Sequence, residues 1–195
     1  MNNSNWEEFV QVTKNRKPVW LLIKTIKKIK SLNNTALDLG CGAGVDSKYL
    51  AKNGFKVDAV DLDQNCITST KKMCKNLDVK IIKKNIKNYK IKPSTYQLIY
   101  SWNTLPFLNK KEMVKVLHGI QKGLTKEGFF VFSLFGIEDN WAKNKPEMAF
   151  LTVNELKKIL SKMKFIEILE TKENKPSAIG KPKFWHQIQG IAQLK

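Results

Sequence analysis

Three glycines spaced two apart, Gly40, Gly42 and Gly44, form the stretch of this sequence best suited to holding a ligand. A chain without Cβ atoms takes positive φ readily and passes close to a bound molecule, and a helix that follows aims free N–H groups at it. A carboxylate or phosphate suits that place. Asp61 stands about 20 residues on, at the end of the next apolar run, where the carboxylate of such a unit accepts hydrogen bonds from a ribose diol. Residues for covalent or acid–base chemistry are few. Cys41, inside the glycine turn, reads as a small residue packed beside the ligand. With Cys66 and Cys74 it makes an odd number of cysteines without metal-ligand spacing, which favours reduced thiols and no metal site. Of the two histidines, His118 lies mid-helix. His186 stands in a closing strand, as a base, a substrate ligand or a residue satisfied by its neighbours.

The elements that must position these residues follow from periodicity. Residues 35–39 read as a strand feeding the glycine turn, residues 45–53 as a helix stopped by Gly54, and residues 56–60 as a second strand ending on Asp61. A helix over 64–76 leads to a third strand at 79–82, and Asn85 and Ile86 after it border the same crevice. A fourth strand, 96–100, ends in Ser101, Trp102 and Asn103. Residues 111–124 form a helix, 128–134 a fully apolar fifth strand, and Thr152 with Glu155 caps a further helix. Closing strands are expected at 165–171 and 184–194, separated by a loop over 172–183, and the polar segment 135–150 is long enough to be a lid or substrate wall. At the amino end Trp6, Phe9 and Val10 sit at helical spacing. Pro18 suits the first position of a second helix whose buried face is Val19, Leu22, Ile23, Ile26 and Ile29, and Asn33 and Asn34 can end it.

At 195 residues and 42% hydrophobic, the chain is expected to form one domain over 1–195. It shows no apolar run of about 18 residues and no signal-like amino terminus, so no membrane and a cytoplasmic location are expected. The 35 basic residues against 17 acidic give +18, which suggests a polyanion. Only Arg16 among them is arginine, and lysines spread along a whole chain make a solvated surface rather than a phosphate-reading one. Nucleic acid is therefore the second choice of partner, behind a small molecule, in a monomer or homodimer.

Written out, Leu37-Asp38-Leu39-Gly40-Cys41-Gly42-Ala43-Gly44, with Val60-Asp61-Leu62-Asp63 behind it, resembles the cofactor-binding motif of the class I S-adenosylmethionine-dependent methyltransferases. A dinucleotide fingerprint would need Gly or Ala where this chain has Ser47. Residues 13–18, 150–156 and 181–186 are similar to the small bacterial methyltransferases of the tellurite-resistance type. The resemblance implies an α/β three-layer sandwich: a seven-stranded, mostly parallel sheet of order 3-2-1-4-5-7-6 with the last strand antiparallel, and residues 1–32 covering the cofactor pocket. It implies S-adenosylmethionine as cofactor, with Arg16 reaching its carboxylate, Asp38, Gly40, Cys41 and Gly42 around its amino-acid tail, and Asp61 and Leu62 at its ribose. Asn85 and Ile86 would hold adenine, although the family most often has Asp at the first of these. Ser101 and Trp102 would line the methyl side, with Trp102, Asn103 and His186 toward the substrate.

The implied reaction is in-line displacement of the sulfonium methyl onto a nucleophilic N, O, S or metalloid atom. Placement supplies most of the rate, so a protein nucleophile is not expected. The motifs of enzymes that methylate base amines or pyrimidine carbons are absent after the fourth strand. An RNA-modifying enzyme or RNA-binding module, and a cofactor-binding regulator without turnover, are the alternative readings.

Overall fold

Short apolar strands alternating with amphipathic helices over residues 35–135 force a parallel sheet with helices on both faces. The computed structural model describes residues 3–29, 34–180 and 182–195. Asn33 of the expected second-helix terminus and Lys181 of the carboxyl-terminal resemblance lie outside the described residues. The strands are β1 (Thr35–Leu39), β2 (Lys56–Asp61), β3 (Val79–Lys83), β4 (Tyr96–Trp102), β5 (Leu124–Phe135), β6 (Met163–Pro176) and β7 (Pro182–Leu194). The helices are α1 (Asn3–Thr13), α2 (Trp20–Ile26), α3 (Val45–Lys52), α4 (Gln64–Met73), α5 (Lys110–Gly123), α6 (Asn140–Asn144) and α7 (Val153–Ile159).

The sheet runs β3-β2-β1-β4-β5-β7-β6, the expected order. Strands β1 to β5 are parallel, and β7 runs antiparallel between β5 and β6. Succession reverses between β1 and β4, so their carboxyl ends open a crevice at the point where such sheets bind ligands.

Alternation across the strands sends side chains to two cores. Leu37, Leu39, Ile99, Phe130 and Phe132 face Met113, Leu117 and Ile120 of α5 and Leu156 of α7. On the other side Ala36, Val57, Leu98, Tyr100 and Val131 pack with Leu21 and Leu22 of α2 and Leu50 of α3. Reciprocal caps start the helices of the first face. Asn109 and Glu112 do so for α5, and Thr152 and Glu155 for α7 as expected.

Several expected boundaries move. β6 and β7 pair as far as Pro176 with Pro182, so the expected loop over 172–183 is mostly a polar hairpin arm. Residues 172–175 carry no apolar pattern, and backbone pairing with a partner strand, which periodicity cannot read, makes them strand. α4 ends at Met73, before the left-handed Asn76. α2 starts at Trp20 rather than Pro18, because Asp46 Oδ1 takes the Val19 N–H at 3.1 Å and keeps that residue extended. Its deepest residues are Leu21, Leu22 and Thr25. Segment 135–150 contains α6, bridges Gly136 to Leu151, and buries Asp139, Met148 and Ala149, so it is built into the body.

Candidate functional site

The chain turns from β1 into α3 through three left-handed glycines, with φ of +84° at Gly40, +53° at Gly42 and +88° at Gly44. Gly40 and Cys41 donate their N–H groups to Val60 O at 2.8 and 3.1 Å, which ties the turn to the end of β2. From α4, the Thr70 hydroxyl donates to Gly42 O at 3.1 Å and Ser69 Oγ to Ala43 O at 3.0 Å. Cys41 is buried against Thr70, and burial pushes its thiol well above the ordinary range, which suits packing rather than reactivity. A Cβ at Gly44 would sit 2.8 Å from Thr70 Cα, and backbone cannot step aside. Gly44→Ala is expected to cost about 3 kcal/mol, from left-handed strain and overpacking together. Urea unfolding measures it, and a loss below ~1 kcal/mol would mean that the turn is not clamped. At Gly42 the nearest side chain is the Phe9 ring, 3.3 Å from where a Cβ would be, so α1 lies across the turn.

Three acids surround the turn, each held differently. Asp61 Oδ2 accepts the Gly42 N–H at 2.9 Å and Oδ1 the Asp63 N–H at 3.0 Å, which aims the carboxylate into the crevice. Burial raises its pKa and these N–H groups oppose the rise. Leu62 beside it is 58% exposed. Asp46, in the first turn of α3, gathers the Arg16 guanidinium, the Val19 N–H and the Tyr100 hydroxyl, the last at 2.8 Å. Arg16 is therefore anchored at the crevice through Asp46, a first-turn acid of α3 that the sequence did not single out.

Asp38 is fully buried at the end of β1. Ser47 Oγ donates to its Oδ2 at 2.6 Å, while Oδ1 is buried with no hydrogen-bond partner among the described residues. Burial, reinforced by the charge on Asp46, pushes Asp38 up to about 7. The folded state thus holds this proton more tightly than the unfolded chain. Stability from Asp38 is greatest below pH 3.8, falls as pH rises toward about 7, and then levels off. Asp38→Asn keeps an acceptor for Ser47. It is expected to stabilise the free protein near pH ~8 and to lose that advantage near pH ~4. Thermal unfolding at both values tests this; an advantage independent of pH would contradict a buried charge.

At the carboxyl end of β4, which runs two residues beyond the expected Tyr100, Ser101 Oγ donates to Leu39 O at 3.0 Å and ties β4 to β1. Trp102 stacks parallel on Tyr100 at 6.2 Å. Asn103 is left-handed, with φ +51°, and its Oδ1 accepts from Ser133 Oγ at 2.6 Å and Gln187 Nε2 at 3.2 Å. Asn85 Oδ1 turns back to cap its own turn through Lys87 N–H, and Ile86 is 8% exposed among Leu39, Val60 and Leu105. A groove of about 450 Å³ opens beside Trp102 and Asn103, with Trp20, Trp185, Gln187 and Gln189 also on its walls.

His186 corrects an expectation. Alternation along β7 turns it to the face opposite Trp185 and Gln187. There its Nδ1 accepts the Glu138 N–H at 3.1 Å, which leaves the ring proton on Nε2 to donate to Glu170 at 2.8 Å. Both nitrogens are occupied away from the groove, so His186 fastens segment 135–150 to β6 and β7. Lys183 does the same work on the other face. Its ammonium pairs with buried Asp139 and lies 3.8 Å from the Trp185 ring centroid, 4.4 Å from that of Trp141 and 5.1 Å from that of Phe135. The sequence placed Lys183 only within the 181–186 resemblance and did not mark Asp139, because a cage drawn from three separate elements has no local signature. Among the described residues no group of acids, cysteines and histidines is arranged to hold a metal.

Residues 36–128 match a family model described as a methyltransferase domain. The chain is 27% identical over 136 residues to the probable S-adenosyl-L-methionine-dependent methyltransferase TehB of Haemophilus influenzae, covering 69% of this chain and 47% of that protein. It is 39% identical over 67 residues to the ubiquinone biosynthesis O-methyltransferase of Hydrogenovibrio crunogenus, 34% of this chain and 28% of that one. Both matches thus span less than half of the relative's length. The crystal structure of Haemophilus influenzae TehB superposes with a TM-score of 0.75 at 23% identity, covering 89% of this chain and 61% of that one, a likeness of fold.

Proposed function

We propose, from the premise that this chain is a class I S-adenosylmethionine-dependent methyltransferase, that it methylates a nucleophilic atom of a small molecule held beside Trp102 and Asn103. The residues at the crevice suit the cofactor. Among the described residues the Oδ1 of Asp38 lacks a donor, which the α-ammonium of an amino-acid tail would supply, next to a turn whose Gly40 and Gly42 lie against the side chains of Thr104 and Phe9. Asp61 would take the ribose hydroxyls on lone pairs left beside its two backbone bonds, and exposed Leu62 offers an apolar surface beside it. Arg16, with its guanidinium oriented by Asp46, would meet the cofactor's carboxylate. Asn85 would supply polar contact to adenine. Ile86, buried beneath, would support that side more than touch it.

The cofactor when bound supplies an activated methyl group whose leaving thioether is neutral, so the chain's task is placement. The same reading takes residues 1–195 as one catalytic domain, with residues 1–32 over the cofactor; residues 135–150, expected as a lid or substrate wall, contribute none of the groove's described lining. The observation that carries a small acceptor is the groove beside Asn103, whose only charged lining residues among the described ones, Glu173 and Lys175, neutralise each other at 2.5 Å. Among the described residues that arrangement offers a polyanion no unpaired cation in the groove lining, whatever the net charge of +18.

Calorimetry with S-adenosylmethionine, followed by a metabolite-extract screen for S-adenosylhomocysteine, tests the proposal. Binding and turnover indifferent to salt are expected. Failure to bind the cofactor would end it, and turnover only on RNA, falling steeply with salt, would replace it with the nucleic-acid reading.

A further inference from the structure

Resting on that reading, we infer that the methyl acceptor is an uncharged planar molecule and that Asn103 orients it by donating a hydrogen bond to an acceptor atom beside the methylated position. Asn103 occupies the first position past β4 in a left-handed conformation that asparagine tolerates better than most side chains. Its amide is held by a head-to-tail relay. Gln189 Nε2 donates to Gln187 Oε1 at 3.2 Å, Gln187 Nε2 donates to Asn103 Oδ1 at 3.2 Å, and Ser133 Oγ donates to the same oxygen at 2.6 Å. Two donors engage Oδ1, while Nδ2 donates to no described residue. The amide therefore presents N–H groups where Asn103 borders the groove. An acceptor lacking a carbonyl, ring nitrogen or similar atom there would leave that donor unmatched.

The walls define the rest of the molecule. Three indoles, of Trp20, Trp102 and Trp185, line one groove. Trp185 spends its N–H on Lys175 O at 3.1 Å, and Trp102 is held flat against Tyr100. Flat indoles beside amides favour a π-faced, neutral guest. A charged one would give up hydration without an unpaired opposite charge to meet in the described lining, because Glu173 and Lys175 are already paired.

The test uses the full chain saturated with S-adenosylhomocysteine and the probe 4-quinolone, a neutral planar bicycle with a ring carbonyl, read by quenching of tryptophan fluorescence. Cyclohexanone and a uridine hexanucleotide serve as the flexible and the anionic comparisons. Two variants keep the left-handed backbone. Asn103→Asp also keeps the bonds from Ser133 and Gln187 but replaces the N–H groups with oxygen, and Asn103→Gly removes the amide. Each is expected to weaken 4-quinolone about 10-fold, the equivalent of one hydrogen bond, while S-adenosylhomocysteine affinity by calorimetry stays within about twofold. Equal quinolone affinity in wild type and Asn103→Asp, tighter binding of cyclohexanone, or displacement by the hexanucleotide would overturn the inference. If S-adenosylhomocysteine itself does not bind, the cofactor reading beneath it has failed instead.

Discussion

Replacing Asp61 with alanine is expected to weaken S-adenosylmethionine binding at least about 100-fold, because hydrogen bonds to a charged acceptor contribute about 1.5–3 kcal/mol each and a ribose diol offers two. The carboxylate is already oriented before any ligand arrives. Gly42 and Asp63 donate to its two oxygens at 2.9 and 3.0 Å, so little ordering remains for binding to supply. The same bonds imply a second effect. Alanine leaves the Gly42 N–H without its partner and is expected to lower stability by about 1–2 kcal/mol. Asp61→Asn retains an oxygen for Gly42 and should recover much of that stability while regaining little affinity. Isothermal calorimetry beside urea unfolding separates the two effects. Affinity within about threefold of wild type in the alanine variant would show that Asp61 serves only the turn.

Lys183→Met is expected to be the most destabilising single change outside the glycine turn, with a loss of about 3–5 kcal/mol, the cost of leaving a buried charge without its partner. Asp139 is 1% exposed, and although the N–H groups of Trp141 and His186 also reach it, at 3.0 and 3.2 Å, neither carries a positive charge. Burial pulls the Lys183 pKa below the usual lysine range, and the bond to Asp139 resists that pull. The aromatic rings of Phe135, Trp141 and Trp185 add attraction for the cation that a thioether only partly replaces. Removing both charges, as Lys183→Met with Asp139→Asn, should restore stability relative to the single change, because no unpaired ion remains. Urea unfolding of the three proteins is the check. A single-variant loss under ~1 kcal/mol, or a double variant worse than the single, would refute the buried pair.

How far such features could be read ahead depended on how local they are. The glycine turn, the strand before it and Asp61 after it lie within one short stretch, so spacing alone carried them, whereas the apolar runs located β1 to β5 and the resemblance implied their parallel order. Thr152 and Glu155 announced α7 for the same reason: a capping box joins two residues only three positions apart. The hairpin arm beyond Thr171 escaped because its strand character comes from pairing with a distant partner. His186 was ambiguous because a histidine in a strand reads the same from either face until register assigns its neighbours.

The order of apolar runs and turn residues along the chain therefore determined the succession of strands and helices and the place of the glycine turn, since steric freedom at glycine and the two-residue period of a strand are properties of neighbours in sequence, while the sheet order was implied by the resemblance. What only the tertiary structure decided is which polar groups meet: Arg16 on Asp46 across 30 residues, Asn103 on Gln187 across 84, Lys183 on Asp139 across 44. Partner choice in a dehydrated interior follows from distance and desolvation in three dimensions, and a linear pattern of residue types carries neither.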